Sequence, residues 1–227
     1  MKFEERMKAL EVPLLDVRFL LDRRYPKDYT INFVSNHYRL IKEDRNVLFR
    51  IACEKKLSEE RMKKLVSIDF IKGKSVVMDG YNVLITVESL ILGYPVFLCD
   101  DGVLKDIRAI FHRYRIKKET KESLEKIKTL LSKYLPKEVI FIFDAQISES
   151  GKLSALTREI FEEMNTSVLT SKDADYQVKR HKDNVVATSD GNIMDNVRNI
   201  VDIPSHVGEE FGYPYYKPTT MRFCLSG

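Results

Sequence analysis

From residue 75 onward the chain alternates short, unbroken apolar runs with stretches of helical periodicity, and this texture restricts the fold more than any other feature. The runs are SVVM (75–78), PVFLC (95–99), EVIFIF (138–143), SVLT (167–170), NVVAT (184–188) and NIVDI (199–203). Between them the spacing predicts helices over 83–92, 103–114, 119–134, 152–164, 173–181 and 192–198. A strand that is apolar at every position is buried on both faces, and strands alternating with helices join into a parallel sheet. The expected fold class is α/β, a Rossmann-like parallel sheet with helices on both faces.

The first 70 or so residues read as helical throughout. LLDVRFLLDRRY sets Leu14, Val17 and Leu21 at helical spacing, and Pro26 breaks that pattern. Thr30 is the expected N-cap of the next helix, which starts at TINFVSNHYRL. KEDRNVLFRIACEKK then sets Val47, Leu48, Ile51 and Ala52 on one side, and SEERMKKLV begins a further helix at Ser58. A small all-α domain over residues 1–72 is therefore expected ahead of an α/β domain over 73–227, with Gly73 as the flexible point between them. The α/β domain ends in an irregular tail rich in Pro, Tyr and Gly. Short helices with short turns suit a nucleic-acid-binding arrangement, and equally a bundle that packs on its neighbour or on a partner protein.

Charge bears on that choice. Residues 1–75 carry 18 Lys and Arg against 12 Asp and Glu, while the remainder carries 20 against 22. A basic excess on one segment is compatible with an anionic partner. The whole chain is 44% apolar and 32% charged, which excludes disorder as a global description. No run approaches the ~18 apolar residues needed to span a bilayer, and MKFEERMKALEV lacks the apolar stretch of a signal peptide. Cys53, Cys99 and Cys224 make neither a disulfide framework nor a zinc motif, and His37, His112, His181 and His206 are scattered. A reducing cytoplasmic setting, with no membrane association, is the expectation.

The runs also share an ending. SVVM leads into Asp79, PVFLC into Asp100 and Asp101, EVIFIF into Asp144, SVLTSK into Asp173 and Asp175, and NVVATS into Asp190. In a parallel sheet every strand C-terminus lies on one edge, so these carboxylates converge on one crevice. Single acids at such points serve as helix N-caps. Asp173 is the expected cap of the helix at ADYQV, leaving Asp175 to face inward, and Asp100 and Asp101 read as caps or as ligands. Several carboxylates at one point repel one another, and a divalent cation relieves that repulsion. Hard oxygen donors without His or Cys point to Mg²⁺ or Mn²⁺, which serves phosphodiester hydrolysis by activating a water and neutralising the leaving oxygen. No Ser-His-Asp or Cys-His arrangement, P-loop or G-x-G-x-x-G fingerprint competes with this reading.

Asp79-Gly80 between apolar runs also carries the signature of a tight hairpin. Downstream, however, Val83, Leu84, Val87 and Ile91 keep helical spacing, so the expected element is a strand-to-helix turn. Asn82 is then the expected helix N-cap, and Gly80 the residue that lets the turn be sharp.

Four motifs together resemble the NYN branch of the PIN-like nucleases: MDGYNVL (78–84), FIFDA (141–145), KDADYQVKR (172–180) and VVATSDGNI (185–193). The matching positions are Asp79, Asn82, Asp144, Asp175, Thr188, Ser189 and Asp190. The resemblance covers roughly residues 74–203 and implies a metal-dependent endoribonuclease acting on RNA. On that reading Asp79, Asp144, Asp175 and Asp190 are the metal ligands, with Asp100, Asp101 and Asp173 as additional candidates. Asn82 and Ser189 orient ligands or substrate, and Thr188, Lys179 and Arg180 contact substrate. LCDDGVLKDI lies outside the usual NYN pattern. The N-terminal segment resembles a prokaryotic family known as domain of unknown function 434, which brings no activity with it. A non-catalytic RNA- or protein-binding module on the same fold is the alternative, and hydrolysis of a small phosphate compound a third reading.

Overall fold

The computed structural model describes residues 3–108 and 114–218. The chain divides into two compact units. The first draws on Met1–Lys63, Pro95–Ile107 and the segment from Tyr215 on; the second on Lys64–Tyr94 and Arg108–Pro214.

The first unit contains helices α1 (Phe3–Ala9), α2 (Glu11–Asp22), α3 (Lys27–His37), α4 (Lys42–Ile51) and α5 (Lys55–Met62). Leu14, Val17 and Leu21 of α2 are buried with Ile31 and Val34 of α3 and with Val47, Leu48 and Ile51 of α4, as the helical spacing requires. Two starts differ from expectation. α3 begins at Lys27, directly after Pro26, whose fixed φ suits a helix entrance. α5 begins at Lys55, so Ser58 lies inside it and donates its hydroxyl to the Asp100 carbonyl.

The larger correction concerns residues 95–114. Val96–Leu98 is a strand, β2, but it pairs antiparallel with β3 (Leu104–Asp106) and belongs to the first unit. The expected helix over 103–114 is replaced there by β3, and residues 109–113 of that expectation lie outside the described residues. Phe97 and Cys99 join the helical core, and Tyr216 bonds to Val96 and Leu98 through its backbone. The N-terminal domain is thus not all-α, and it does not end at residue 72.

The second unit carries the sheet. β1 (Ser75–Asp79), β4 (Glu138–Asp144), β5 (Thr166–Ser171), β6 (Val185–Ala187) and β7 (Asn199–Ile200) lie in the order β5-β4-β1-β6-β7, all parallel. Side chains alternate across a strand. Val76, Met78, Val139, Phe141, Phe143, Val185 and Ala187 enter one core cluster. The intervening Val77, Ile140, Ile142 and Val186 are also buried. Both faces are therefore covered, which accounts for the unbroken apolar runs. At the outer strand β5 the Arg158 side chain donates to the Val168 carbonyl over 2.7 Å.

The connecting helices are α6 (Gly80–Ile91), α7 (Lys118–Tyr134), α8 (Ser150–Ile160), α9 (Ala174–Arg180) and α10 (Gly191–Asn196). A further helix, α11 (Ile203–Phe211), stands where the sequence reads as an irregular tail. Pro204 and Gly208 look like breakers, but Pro is tolerated in a first helical turn, and Ile203 and Val207 are buried against the core. Among the described residues no helix is long and apolar enough to cross a membrane.

Candidate functional site at the sheet's carboxyl edge

Strand order reverses direction of winding between β1 and β6. In an open parallel sheet the crevice beyond the strand ends at such a point is where ligands bind. Asp79 ends β1 there, and Thr188, Ser189 and Asp190 follow β6.

Asp79 is 7% exposed and occupies the N-cap position of α6, yet its side chain accepts no bond from the helix backbone. Its Oδ2 instead accepts from the Asn82 amide at 2.5 Å and from the Thr188 hydroxyl at 2.6 Å, across the switch point. Asn82 is therefore not the cap. The helix starts two residues before it, and its side chain reaches back to hold the carboxylate. Gly80 needs no unusual backbone angle. A Cβ there would stand 2.8 Å from the Ile142 carbonyl and closer still to the Phe143 ring, so the glycine admits strand β4.

Thr188 is a link as well as a donor, because its oxygen accepts the Asp190 backbone N–H at 3.1 Å. Asp190 Oδ1 caps α10, accepting from Asn192 N at 2.8 Å and Ile193 N at 3.1 Å. Asp144 Oδ1 accepts from Gln146 N at 2.8 Å, which fixes the turn after β4. Ser189 is buried, and its hydroxyl makes no hydrogen bond among the described residues. Asp175 lies in the first turn of α9 and is exposed. Asp173 occupies the N-cap position of α9, but its exposed side chain accepts no cap bond.

The acids sense one another. Burial raises the Asp79 carboxyl to about 7, the Thr188 and Asn82 bonds pull it back, and the charges of Asp190 and Asp175 push it further up. Asp175 is also raised, by partial desolvation first, then by Asp190, with Lys179 opposing and Asp144 adding to the rise. Every donor here is a hard oxygen, the set suited to Mg²⁺ or Mn²⁺. Among the described residues, however, no three His, Cys, Asp or Glu side chains stand close enough together to hold an ion.

Asp100 and Asp101 are not brought to this edge, because they follow the hairpin strand β2 in the other unit. Asp100 accepts from Arg18 Nε at 2.9 Å and Nη2 at 2.5 Å, and from the Cys53 N–H at 3.1 Å. Asp101 meets Arg61 at 3.2 Å and Lys105 at 2.5 Å. Carboxylates so engaged are counter-ions, not cation ligands.

Sequence reasoning also passed over Tyr81, next to the site. Its hydroxyl is buried without a hydrogen-bond partner among the described residues, and burial first, then the charges of Asp144 and Glu149, raises it well above the usual phenol range. No spacing rule marks such a group.

Residues 68–206 match the family described as Domain of unknown function (DUF5616). The chain belongs to that family. Residues 9–64 match Protein of unknown function (DUF434), in agreement with the N-terminal resemblance. The chain is 39% identical over 202 residues to uncharacterized protein MJ0935 of Methanocaldococcus jannaschii, covering 86% of this chain and 94% of that one. No solved structure matches. The DUF5616 match spans all five sheet strands, Asp79, Asp144 and the Thr188–Asp190 segment. Asp100 and Asp101 fall within it too, although they fold with the other unit.

Proposed function

We propose that this chain is a metal-dependent ribonuclease of the PIN-like kind, hydrolysing RNA phosphodiester bonds at the carboxyl edge of its sheet. The observation that carries the reading is Asp79. It is buried at the switch point and held through one oxygen by Asn82 and Thr188, and among the described residues it has no cationic partner and its Oδ1 accepts no bond. A carboxylate left so, with further acids raising its proton affinity, suits a site completed by a diffusible cation.

The fit is to a cation that keeps much of its water. Mg²⁺ takes only one or two carboxylates directly and leaves other positions to water and substrate phosphate, so a tight three-residue cage is not required. Asp79, Asp144, Asp175 and Asp190 would hold it, several of them through water. When bound, the ion would supply an activated water and neutralise charge on the leaving oxygen. Thr188 and Asn82 keep Asp79 oriented, and Lys179 and Arg180 would meet backbone phosphate.

The wider spacing of the acids favours a second reading, an RNA- or protein-binding module that keeps the fold without the chemistry. Titration of Mn²⁺ by calorimetry, with an RNA cleavage assay on the same preparation, separates the two. The nuclease reading expects a metal isotherm and Mn²⁺-dependent cleavage, both lost in Asp79→Asn with the fold retained. Cleavage at the wild-type rate by Asp79→Asn would overturn it, and a folded wild-type protein that binds no metal would favour the binding module.

A further inference from the structure

Helix α9 buries Val178 to 1% exposure and turns its other face outward. That face carries Asp175, Tyr176, Lys179 and Arg180. Positions three and four apart are neighbours on a helix surface, so Tyr176 adjoins both Lys179 and Arg180, and Asp175 adjoins Lys179. Tyr176 is 62% exposed and makes no ring contact among the described residues. Tyr81, two strand ends away, is instead packed edge-on against Tyr114 and Phe143.

Some cations of this unit are committed to acids and others are not. Lys128, Lys133, Lys152 and Arg198 each pair with an acid. Lys172, Lys179, Arg180 and Lys182 form no ion pair among the described residues. Lys179 is near enough to the acidic edge to lower the Asp175 carboxyl. An exposed ring with Lys179 and Arg180 one helical turn away, beside the proposed reaction centre, matches the two parts of an unpaired nucleotide. The ring meets the face of a base, and the cations meet the flanking phosphates.

We infer that Tyr176 is a stacking platform for an unpaired base, with Lys179 and Arg180 on the adjoining phosphates, so that the site takes single-stranded RNA. The inference rests on the ribonuclease reading for its choice of polymer. A base inside a duplex has both faces covered, whereas a single strand offers every base for stacking, and such stacking tolerates any sequence. The platform therefore selects for strandedness and not for sequence.

The test is fluorescence anisotropy of an end-labelled single-stranded oligoribonucleotide with the whole chain in chelator, so that binding is read without cleavage. Stacking energies of single bases convert to an expected loss of about 5- to 150-fold in affinity for Tyr176→Ala. Tyr176→Phe, which keeps the ring, stays within about twofold of wild type. Lys179→Gln and Arg180→Gln each reduce the salt dependence of binding by about one phosphate contact. A duplex of the same sequence shows little response to Tyr176→Ala. Circular dichroism confirms that each variant is folded. Single-strand affinity unchanged in Tyr176→Ala overturns the inference, as does equal loss on duplex and single strand. If Tyr176 governs single-strand binding but Mn²⁺ elicits no cleavage, the stacking platform stands and the nuclease reading falls. If cleavage depends on Asp79 while Tyr176→Ala binds normally, the reverse holds.

Discussion

Asp100 and Asp79 end apolar strands in different units, and they are equally buried, at 6% and 7% exposure. Their surroundings are opposite. Asp100 receives both arms of the Arg18 guanidinium and a backbone N–H, so its charge is neutralised within the chain. Asp79 receives an amide and a hydroxyl, and the nearest charges that act on it are those of Asp190 and Asp175. Burial alone therefore does not mark a functional carboxylate. The telling difference is whether the fold supplies the counter-charge.

The largest expected effect comes from removing the neutralised member. Asp100→Ala deletes the carboxylate from a buried, bidentate pair, and breaking such pairs costs about 3–5 kcal/mol. Urea denaturation followed by circular dichroism should show the loss, concentrated in the unit that contains the hairpin. An Asp100→Ala protein as stable as wild type would erase the contrast.

Asp79→Asn should move stability the other way. The folded carboxyl titrates near 7 and the unfolded one near 3.8, so the folded state holds the proton more tightly between those values. Stability is then greatest below about pH 4, falls as pH rises to about 7, and is level above that. The full drop amounts to up to about 4 kcal/mol. Asn carries no titrating proton, so in metal-free buffer the variant should lack this slope and exceed wild type at pH 7.5. Denaturation midpoints at a series of pH values read the difference directly, and on the proposed function added Mn²⁺ should raise the wild type and not the variant. Parallel pH profiles for the two proteins would break the comparison.

The smallest effect is expected at Asp173, an acid that shares the strand-end position without either environment. It is exposed and accepts no cap bond. Asp173→Ala should change stability by less than about 0.5 kcal/mol, measured by thermal unfolding.

These three residues also show what the sequence could convey. The parallel sheet was legible because Val139 to Phe143 and Val185 to Ala187 are buried on both faces, and burial of that kind writes itself as unbroken apolar letters. The strand-to-helix turn at Asp79 was legible from Val83, Leu84 and Val87. Asp100 was not separable from Asp79, since its partner Arg18 lies 82 positions away and pairing leaves no local trace. PVFLC was misread for a related reason: an apolar run records that a strand is buried, not which sheet buries it. Helix α11 was obscured by Pro204 and Gly208, whose punctuation depends on their place in the helix. At Gly80 the glycine itself was evident, but its cause, the approach of Ile142 and Phe143, is a property of packing.

The dispersed make-up of the first unit has a consequence for how the chain is produced. Its hairpin, with Asp100 and Asp101, is translated only after β1 and α6 of the second unit, and Tyr216 comes near the end. Helices α2 to α5 therefore leave the ribosome with Arg18 and Arg61 not yet joined to Asp100 and Asp101. A fragment cut after residue 72 would lack Asp100 and Asp101 altogether and would keep the two arginines without those counter-charges.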